Sequence, residues 1–506
     1  MVTKRGKQAS RKAAARKYGF LEAPYRMDKR IQHTSHESDF SNMEANHDQI
    51  IRRKDMKKRN RRLNLICAVV LPLLFLAGCA PNQLYRSDYA LCIVDAKNNC
   101  SKHSVQRHNE GSGGEYTLGF VEVDDQGQLR DRAQMQAVLD NYYAVAAKDS
   151  LLINVYVHGW QHDASPDDAN IVSFSKNLKK LSQIETALAK LQNRPPRKIV
   201  GVYVGWRGKS ITIPGLNLVT FWERKNTALN IGYMGIAELF LKLEEISNVR
   251  NSWSPPIKSR LIIMGHSFGG QAVYGATSQI LASRFIDSRE HKAVQDTAKG
   301  FGDLIVLLNP AFEALSYAPL YDLSSSRCSY FIEQRPLLAI LTSETDYATK
   351  LAFPAGRFFS TFFETYDTME REFCGDSKLK RRLTLKEGPA DRTTVGHFDP
   401  LISHTLMPAP NTEPLSINVY NNIRNVWGEQ TAGASLTYGR TILEHLDRTA
   451  PRNPYLNIRV NTKLMANHGD IWGDEVQEFI RLLVLLATQD EDFHESETDV
   501  SAIESD

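Results

Sequence analysis

Cysteine is scarce in this sequence, with six in 506 residues, and no two stand as Cys-x-x-Cys or within a His/Cys cluster. Nothing therefore suggests a metal site, and no cofactor is expected. No basic patch interleaves with aromatic residues, so nucleic acid is not expected as a partner. No internal repeat is present. Beyond residue 79 no apolar run is long enough to span a bilayer.

What is present is ordinary globular composition, 42% apolar and 24% charged. The length allows about two to four average domains, or one large domain with insertions. The formal charge of +4 averages two unlike parts. Residues 1–62 hold 18 Lys+Arg against 7 Asp+Glu, a net +11, which leaves 44 basic against 51 acidic residues, a net −7, for the rest. The basic character belongs to the N-terminus.

Met56 to Cys79 reads MKKRNRRLNLICAVVLPLLFLAGC. A basic stretch precedes an apolar core from Leu63 to Leu76 that is short for a membrane span and interrupted by Pro72. The ending Leu76-Ala77-Gly78-Cys79 resembles the lipobox of bacterial lipoproteins. That resemblance implies a signal peptide over 56–78, lipidation of Cys79 and a membrane lipid as partner. The rival reading is a short transmembrane anchor with a basic cytosolic tail. Ala80, rather than Asp, resembles the pattern of lipoproteins sent to the outer membrane, so a periplasm-facing envelope location is expected. Residues 1–55 are polar, basic and aperiodic, and translation is expected to start at Met56.

Setting aside Cys67 and Cys79 leaves Cys92, Cys100, Cys328 and Cys374. An even number in an exported chain suggests disulfides, with three connectivities open. The local pairing is Cys92 with Cys100, which would leave Cys328 for Cys374.

Residues 79–115 show little periodicity and are expected to form a tether. From Tyr116 onward, strands alternate with helices. Strands are predicted at 116–123, 151–157, 198–204, 261–264, 304–308, 337–341 and 456–460. Helices are predicted at 131–148, 172–192, 226–249, 268–283 and 475–487. Several strands are apolar on both faces, which points to a mostly parallel sheet covered by helices on both sides. Residues 347–452 break the rhythm with aromatics, charge runs and prolines, and read as an insertion or lid before the last strand. The tail from Asp490 carries eight acidic residues and no basic ones, and residues 488–506 are expected to be disordered.

Gly265-His-Ser-Phe-Gly269 fits Gly-x-Ser-x-Gly, with an apolar strand before it and a helix after it. A sharp strand-to-helix turn would lift the Ser267 hydroxyl above the strand end, with glycines where side chains would crowd it. RLIIMGHSFGG, together with VYVHGW ending at Trp160, resembles the α/β-hydrolase superfamily of serine esterases and lipases over about residues 116–487. The resemblance implies that fold, Ser267 as nucleophile, and an oxyanion hole from the N–H groups of Phe268 and Trp160.

The family order is serine, acid, histidine. Asp346, five residues past the predicted strand 337–341, is the expected acid, with Glu344 and Glu313 as rivals. His468, between the last strand and last helix, is the expected base, with His397 and His404 as rivals. His158 reads as a brace of its loop or a substrate contact. Trp206 and Arg207, just past strand 198–204, are candidate pocket residues, and His397 is a further one if the insertion folds over the site. The expected activity is hydrolysis of a small-molecule or lipid carboxylic ester through an acyl-enzyme. The alternatives are an acyltransferase with the same triad, or a non-catalytic binding lipoprotein on the same fold.

Overall fold

The computed structural model of the chain describes residues 52–54, 56–59, 61, 82–109, 111, 113–210, 220–288, 290–291, 294–295, 297–374, 380–410, 415–421, 423–431 and 433–489. Cys79, most of the expected signal peptide and N-terminal extension, and the acidic tail lie outside the described residues. The chain divides into two compact units, 1–74 and 75–506. In the first, residues 52–54, 56–59 and 61 are helical. The second holds a twelve-stranded sheet with helices on both faces, an α/β architecture.

In chain order the strands are β1 (Asp88–Val94), β2 (His103–His108), β3 (Tyr116–Glu122), β4 (Leu151–Val157), β5 (Lys198–Gly205) and β6 (Arg260–His266). They continue as β7 (Leu304–Leu308), β8 (Leu338–Ser343), β9 (His404–Pro408), β10 (Ser435–Tyr438), β11 (Thr441–His445) and β12 (Tyr455–Val460). Their spatial order is β1-β2-β3-β5-β4-β6-β7-β8-β12-β9-β11-β10. From β3 through β9 every neighbouring pair is parallel. β2, β10 and β11 join through antiparallel pairings at the two edges.

The period-2 alternation of buried strands sorts side chains to two cores. On β4, Leu151, Ile153, Val155 and Val157 face one core, and Leu152 and Tyr156 the other. The first core packs under α1 (Arg132–Ala146), α3 (Phe221–Tyr233), α4 (Gly235–Ser252), α5 (Phe268–Asp287) and α6 (Ala314–Ser325). The second packs under α2 (Ala169–Leu191) and the closing helix Asp474–Thr488. Asp131 caps α1 by accepting from Ala133 N, and Asp168 caps α2 by accepting from Asn170 N. The single helix predicted over 226–249 is broken at Met234, where Gly235 N donates to Gly127 O at 2.7 Å. A loop carbonyl thus takes an amide that a continuous helix would have used internally.

Two expectations need correction. The stretch 79–115 contains β1 and β2, closed by the Cys92–Cys100 disulfide, so it is not a simple tether. It is pinned by Glu122, which accepts from Tyr85 N and Arg86 N. β2 is polar, and β1 is an apolar run without period-2 alternation, so neither stands out as a core strand. The insertion, likewise, is partly sheet: β9, β10 and β11 extend the sheet beyond β12. Its first part forms α7 (Phe353–Ser360) and a hairpin, Thr368–Cys374 with Lys380–Lys386. The Cys328–Cys374 disulfide ties that hairpin to the chain just beyond α6. Among the described residues no helix is long and apolar enough to cross a membrane.

Candidate active site

Strands β4, β6, β7, β8 and β12 are consecutive neighbours and parallel, so their C-terminal ends open on one edge of the sheet. The loops that leave those ends carry Trp160, Ser267, Asn309, Asp346 and His468. Topology alone therefore gathers groups far apart in sequence, Ser267 and His468 being separated by 201 residues.

Ser267 stands between β6 and α5 with φ 56° and ψ −120°, a left-handed conformation that a non-glycine residue adopts only when its surroundings impose it. The surroundings here are backbone. A Cβ on Gly269 would lie 2.1 Å from Val157 O, and one on Gly265 would lie 2.7 Å from Gly269 O. Only glycine permits the turn to close so tightly. The loop after β4 approaches equally closely: a Cβ on Gly159 would stand 2.8 Å from Ser267 Cβ.

The structure brings Ser267, His468 and Asp346 into one hydrogen-bonded chain. Ser267 Oγ lies 2.8 Å from His468 Nε2, and His468 Nδ1 lies 2.7 Å from Asp346 Oδ2. Because a carboxylate only accepts, Nδ1 carries the proton and Nε2 is left to accept from the serine hydroxyl. Asp346 is fully buried, while the His468 side chain is 25% exposed. Burial opposes the charge on Asp346. The hydrogen bond and charge of His468 and the Thr349 hydroxyl outweigh it, and hold the carboxyl below the usual aspartate range.

The rivals are engaged elsewhere. Glu344 accepts from Asn461 Nδ2 and Thr462 N at the end of β12. Glu313 pairs with Lys225 at 2.8 Å and with Arg357 at 3.2 Å. His404 is buried on β9 between Ser403 Oγ and Gln430 Nε2.

His158 is fully buried. Its Nδ1 donates to Gly159 O, its Nε2 accepts from Trp206 N, and its ring stacks on Trp206 at 5.4 Å. Burial lowers its pKa to about 4, so it braces the loop as a neutral ring. Trp206 is part of that brace, buried with its indole N–H on His158 O. Arg207 is ion-paired with Asp125. Both line a small cavity at the end of β5 with Tyr85, Glu122, Arg130 and Asp163. His397, a candidate substrate contact, is bonded through Nε2 to Thr349 Oγ1 at 3.0 Å. On α7 and the turn after it Phe353 is buried, whereas Phe358, Phe359, Phe362 and Phe363 are exposed, Phe359 by 80% and Phe363 by 95%.

Three residues that sequence reasoning missed touch this group. Thr349 Oγ1 donates to Asp346 Oδ2 at 2.5 Å. Asn309 Nδ2 and His266 Nε2 both donate to His468 O at 2.9 Å. Asn309 Oδ1 also accepts from Ser343 N at the end of β8, so one side chain links the acid-bearing and histidine-bearing loops. The spacing Asp346–Thr349, a capping pattern, was the one available signal. Asn309 and His266 have none, since their partners lie far along the chain.

Among the described residues no group of three or more His, Cys, Asp or Glu could hold a metal ion. No family model matches the chain, and no curated protein matches it. Among solved structures, the chain is similar to a Trichoderma reesei cutinase in complex with a C11Y4 phosphonate inhibitor. The likeness has 11% identity and a TM-score of 0.14, and covers 36% of this chain and 65% of that one, under two thirds of its length. A likeness that slight carries no argument here.

Proposed function

We propose that the protein is a serine hydrolase of the α/β-hydrolase kind, acting on carboxylic esters of small-molecule or lipid type. The observation that carries this is the chain from Ser267 Oγ through His468 to the buried Asp346, with bonds of 2.8 and 2.7 Å. A serine hydroxyl at its ordinary pKa is a poor nucleophile, and an adjacent oriented imidazole is what activates it. His468 takes the Ser267 proton as Oγ adds to the ester carbonyl. The resulting imidazolium is stabilised by Asp346, then protonates the leaving alcohol as the C–O bond breaks. Water, deprotonated by His468, then cleaves the acyl-enzyme.

The oxyanion is assigned to the N–H groups of Phe268 and Trp160. Two observations support this. Phe268 opens α5, where the first amides lack intrahelical partners. Trp160 follows Gly159, whose close approach to Ser267 only a glycine allows. Such donors act on the charge that develops in the transition state.

We further propose export and anchoring through lipidated Cys79, on the strength of the Leu-Ala-Gly-Cys motif. The two disulfides agree with an oxidising compartment. The decisive experiment is labelling with a fluorophosphonate probe, followed by hydrolysis of p-nitrophenyl esters of graded chain length. Labelling that vanishes in Ser267→Ala is expected. Wild-type protein that neither labels nor hydrolyses any ester would refute the assignment.

A further inference from the structure

Asp346 is held by more than His468. Its Oδ1 accepts from Ala348 N at 3.0 Å and Thr349 N at 3.2 Å, and its Oδ2 accepts from the Thr349 hydroxyl at 2.5 Å as well as from His468. The single hydroxyl proton of Thr349 is committed to the carboxylate, so its oxygen can only accept from elsewhere. His397 Nε2, 3.0 Å away, must therefore be the donor. Hydrogen bonds run in one direction, from His397 to Thr349 to Asp346. The same turn grips Thr349 a second time, because Thr394 Oγ1 donates to Thr349 O at 3.2 Å. Thr349 is buried, so water does not compete for these groups.

We propose that His397 and Thr349 are positioning residues that orient the Asp346 carboxylate toward His468. The proposal rests on reading Ser267, His468 and Asp346 as the catalytic set, and it gives His397 a place behind the acid instead of in the substrate pocket. A donor there must be uncharged, since a cation beside Asp346 would oppose the imidazolium that forms on His468. The charged and titratable groups facing His397 are Asp346, Lys350, Arg459 and His468. Burial is the largest influence and brings its pKa down to about 4, so the ring is neutral near pH 7. A neutral imidazole supplies the hydrogen bond without the charge.

Each bond in the relay acts on the next, and polarised chains of this kind are stronger than their isolated members. Losing the Thr349 hydroxyl concentrates negative charge on Oδ2. That strengthens its hold on protonated His468 and loosens its orientation. Turnover should fall, and the acid limb of the pH profile should move to higher pH.

The test compares Thr349→Val, His397→Ala, His397→Gln and the Thr349→Val/His397→Ala double variant in the full-length protein, each checked for folding by circular dichroism. Histidine-selective ¹⁵N NMR follows the low-field Nδ1 proton of His468 and its titration, independently of turnover. Thr349→Val should lower kcat by on the order of tenfold or more, as loss of a hydrogen bond to a charged group does, with KM unchanged. His397→Ala should cost several-fold, and His397→Gln, which keeps a donor, should restore most of it. The double variant should be no worse than Thr349→Val alone. Both damaging variants should shift the His468 titration and the acid limb upward together. If Thr349→Val does not fold, His397→Ala against His397→Gln decides the matter. A folded His397→Ala with raised KM but unchanged kcat would make His397 a substrate contact and overturn the proposal, as would an unmoved His468 signal. Wild-type protein without any esterase activity, but with the NMR coupling intact, would instead sink the hydrolase assignment and leave this relay standing.

Discussion

His266 and Asn309 donate to the same atom, the carbonyl oxygen of His468, each from 2.9 Å. One lies in the nucleophile turn and the other just past β7. The imidazole of His468 is thus fixed from behind by its own backbone, while its ring remains partly exposed. Asn309 holds φ at 43°, a left-handed conformation that asparagine tolerates better than most residues. Asn309→Ala should therefore strain the turn, orphan Ser343 N and loosen the His468 loop. We expect about 1–3 kcal/mol of lost stability in urea denaturation. Turnover should fall by more than that stability loss explains, and an unchanged kcat in the folded variant would contradict the clamp.

The triad prediction concerns His468→Ala and Asp346→Asn. Asp346→Asn removes imidazolium stabilisation and control of the tautomer, a change worth about 10⁴ in turnover in the serine-protease case. His468→Ala should be nearly as damaging as Ser267→Ala. Adding it to Ser267→Ala should cost little more, because groups acting as a unit are non-additive. Turnover on a soluble ester, with folding verified for each variant, reads this directly. Near-normal rates for His468→Ala would remove it as the base.

Gly159→Ala probes the loop that brings Trp160 to the serine. The new Cβ would meet Ser267 Cβ at 2.8 Å and His266 O at 3.0 Å, both rigidly held. The loop must retreat by a fraction of an ångström. Misplacement of catalytic groups by about 1 Å costs on the order of 10². We expect a folded protein whose kcat falls steeply while fluorophosphonate labelling slows in step.

Acid should destabilise the fold through its buried histidines. Burial lowers the pKa of His158 to about 4 and that of His266 to about 3, and holds His404, which faces His445, well below the ordinary range. Unfolded, each would titrate near about 6.5. Between these values the unfolded chain binds protons that the folded chain refuses, so stability is lost as pH falls from about 6.5 toward 4. Each histidine contributes at most about 1.4 kcal/mol per pH unit. Thermal melts at pH 7, 6 and 5 should show a falling midpoint, with a shallower fall in His404→Gln. A midpoint constant over that range would refute the assignment.

The local chemistry of the site was written in short segments. GHSFG after an apolar strand demanded a strand–turn–helix, because only glycines fit around a serine at positive φ. The alternation of buried strands and helices predicted a parallel sheet, and a parallel sheet puts strand ends on one edge. Those two facts, joined to the serine–acid–histidine order that the resemblance to α/β-hydrolases implies, nominated Ser267, Asp346 and His468.

What the sequence did not reveal depends on contacts between distant segments. β2 is polar, β1 lacks period-2 alternation, and β9 to β11 are only four or five residues long. Their place in the sheet is decided by register with neighbours, which no local pattern encodes. His397 reaches Thr349 across 48 residues, and Asn309 reaches His468 across 159. Backbone sterics act between adjacent residues and can be read in order along the chain. A buried hydrogen bond between remote side chains exists only once packing has excluded water from both, so tertiary structure alone decided which polar residues support the site.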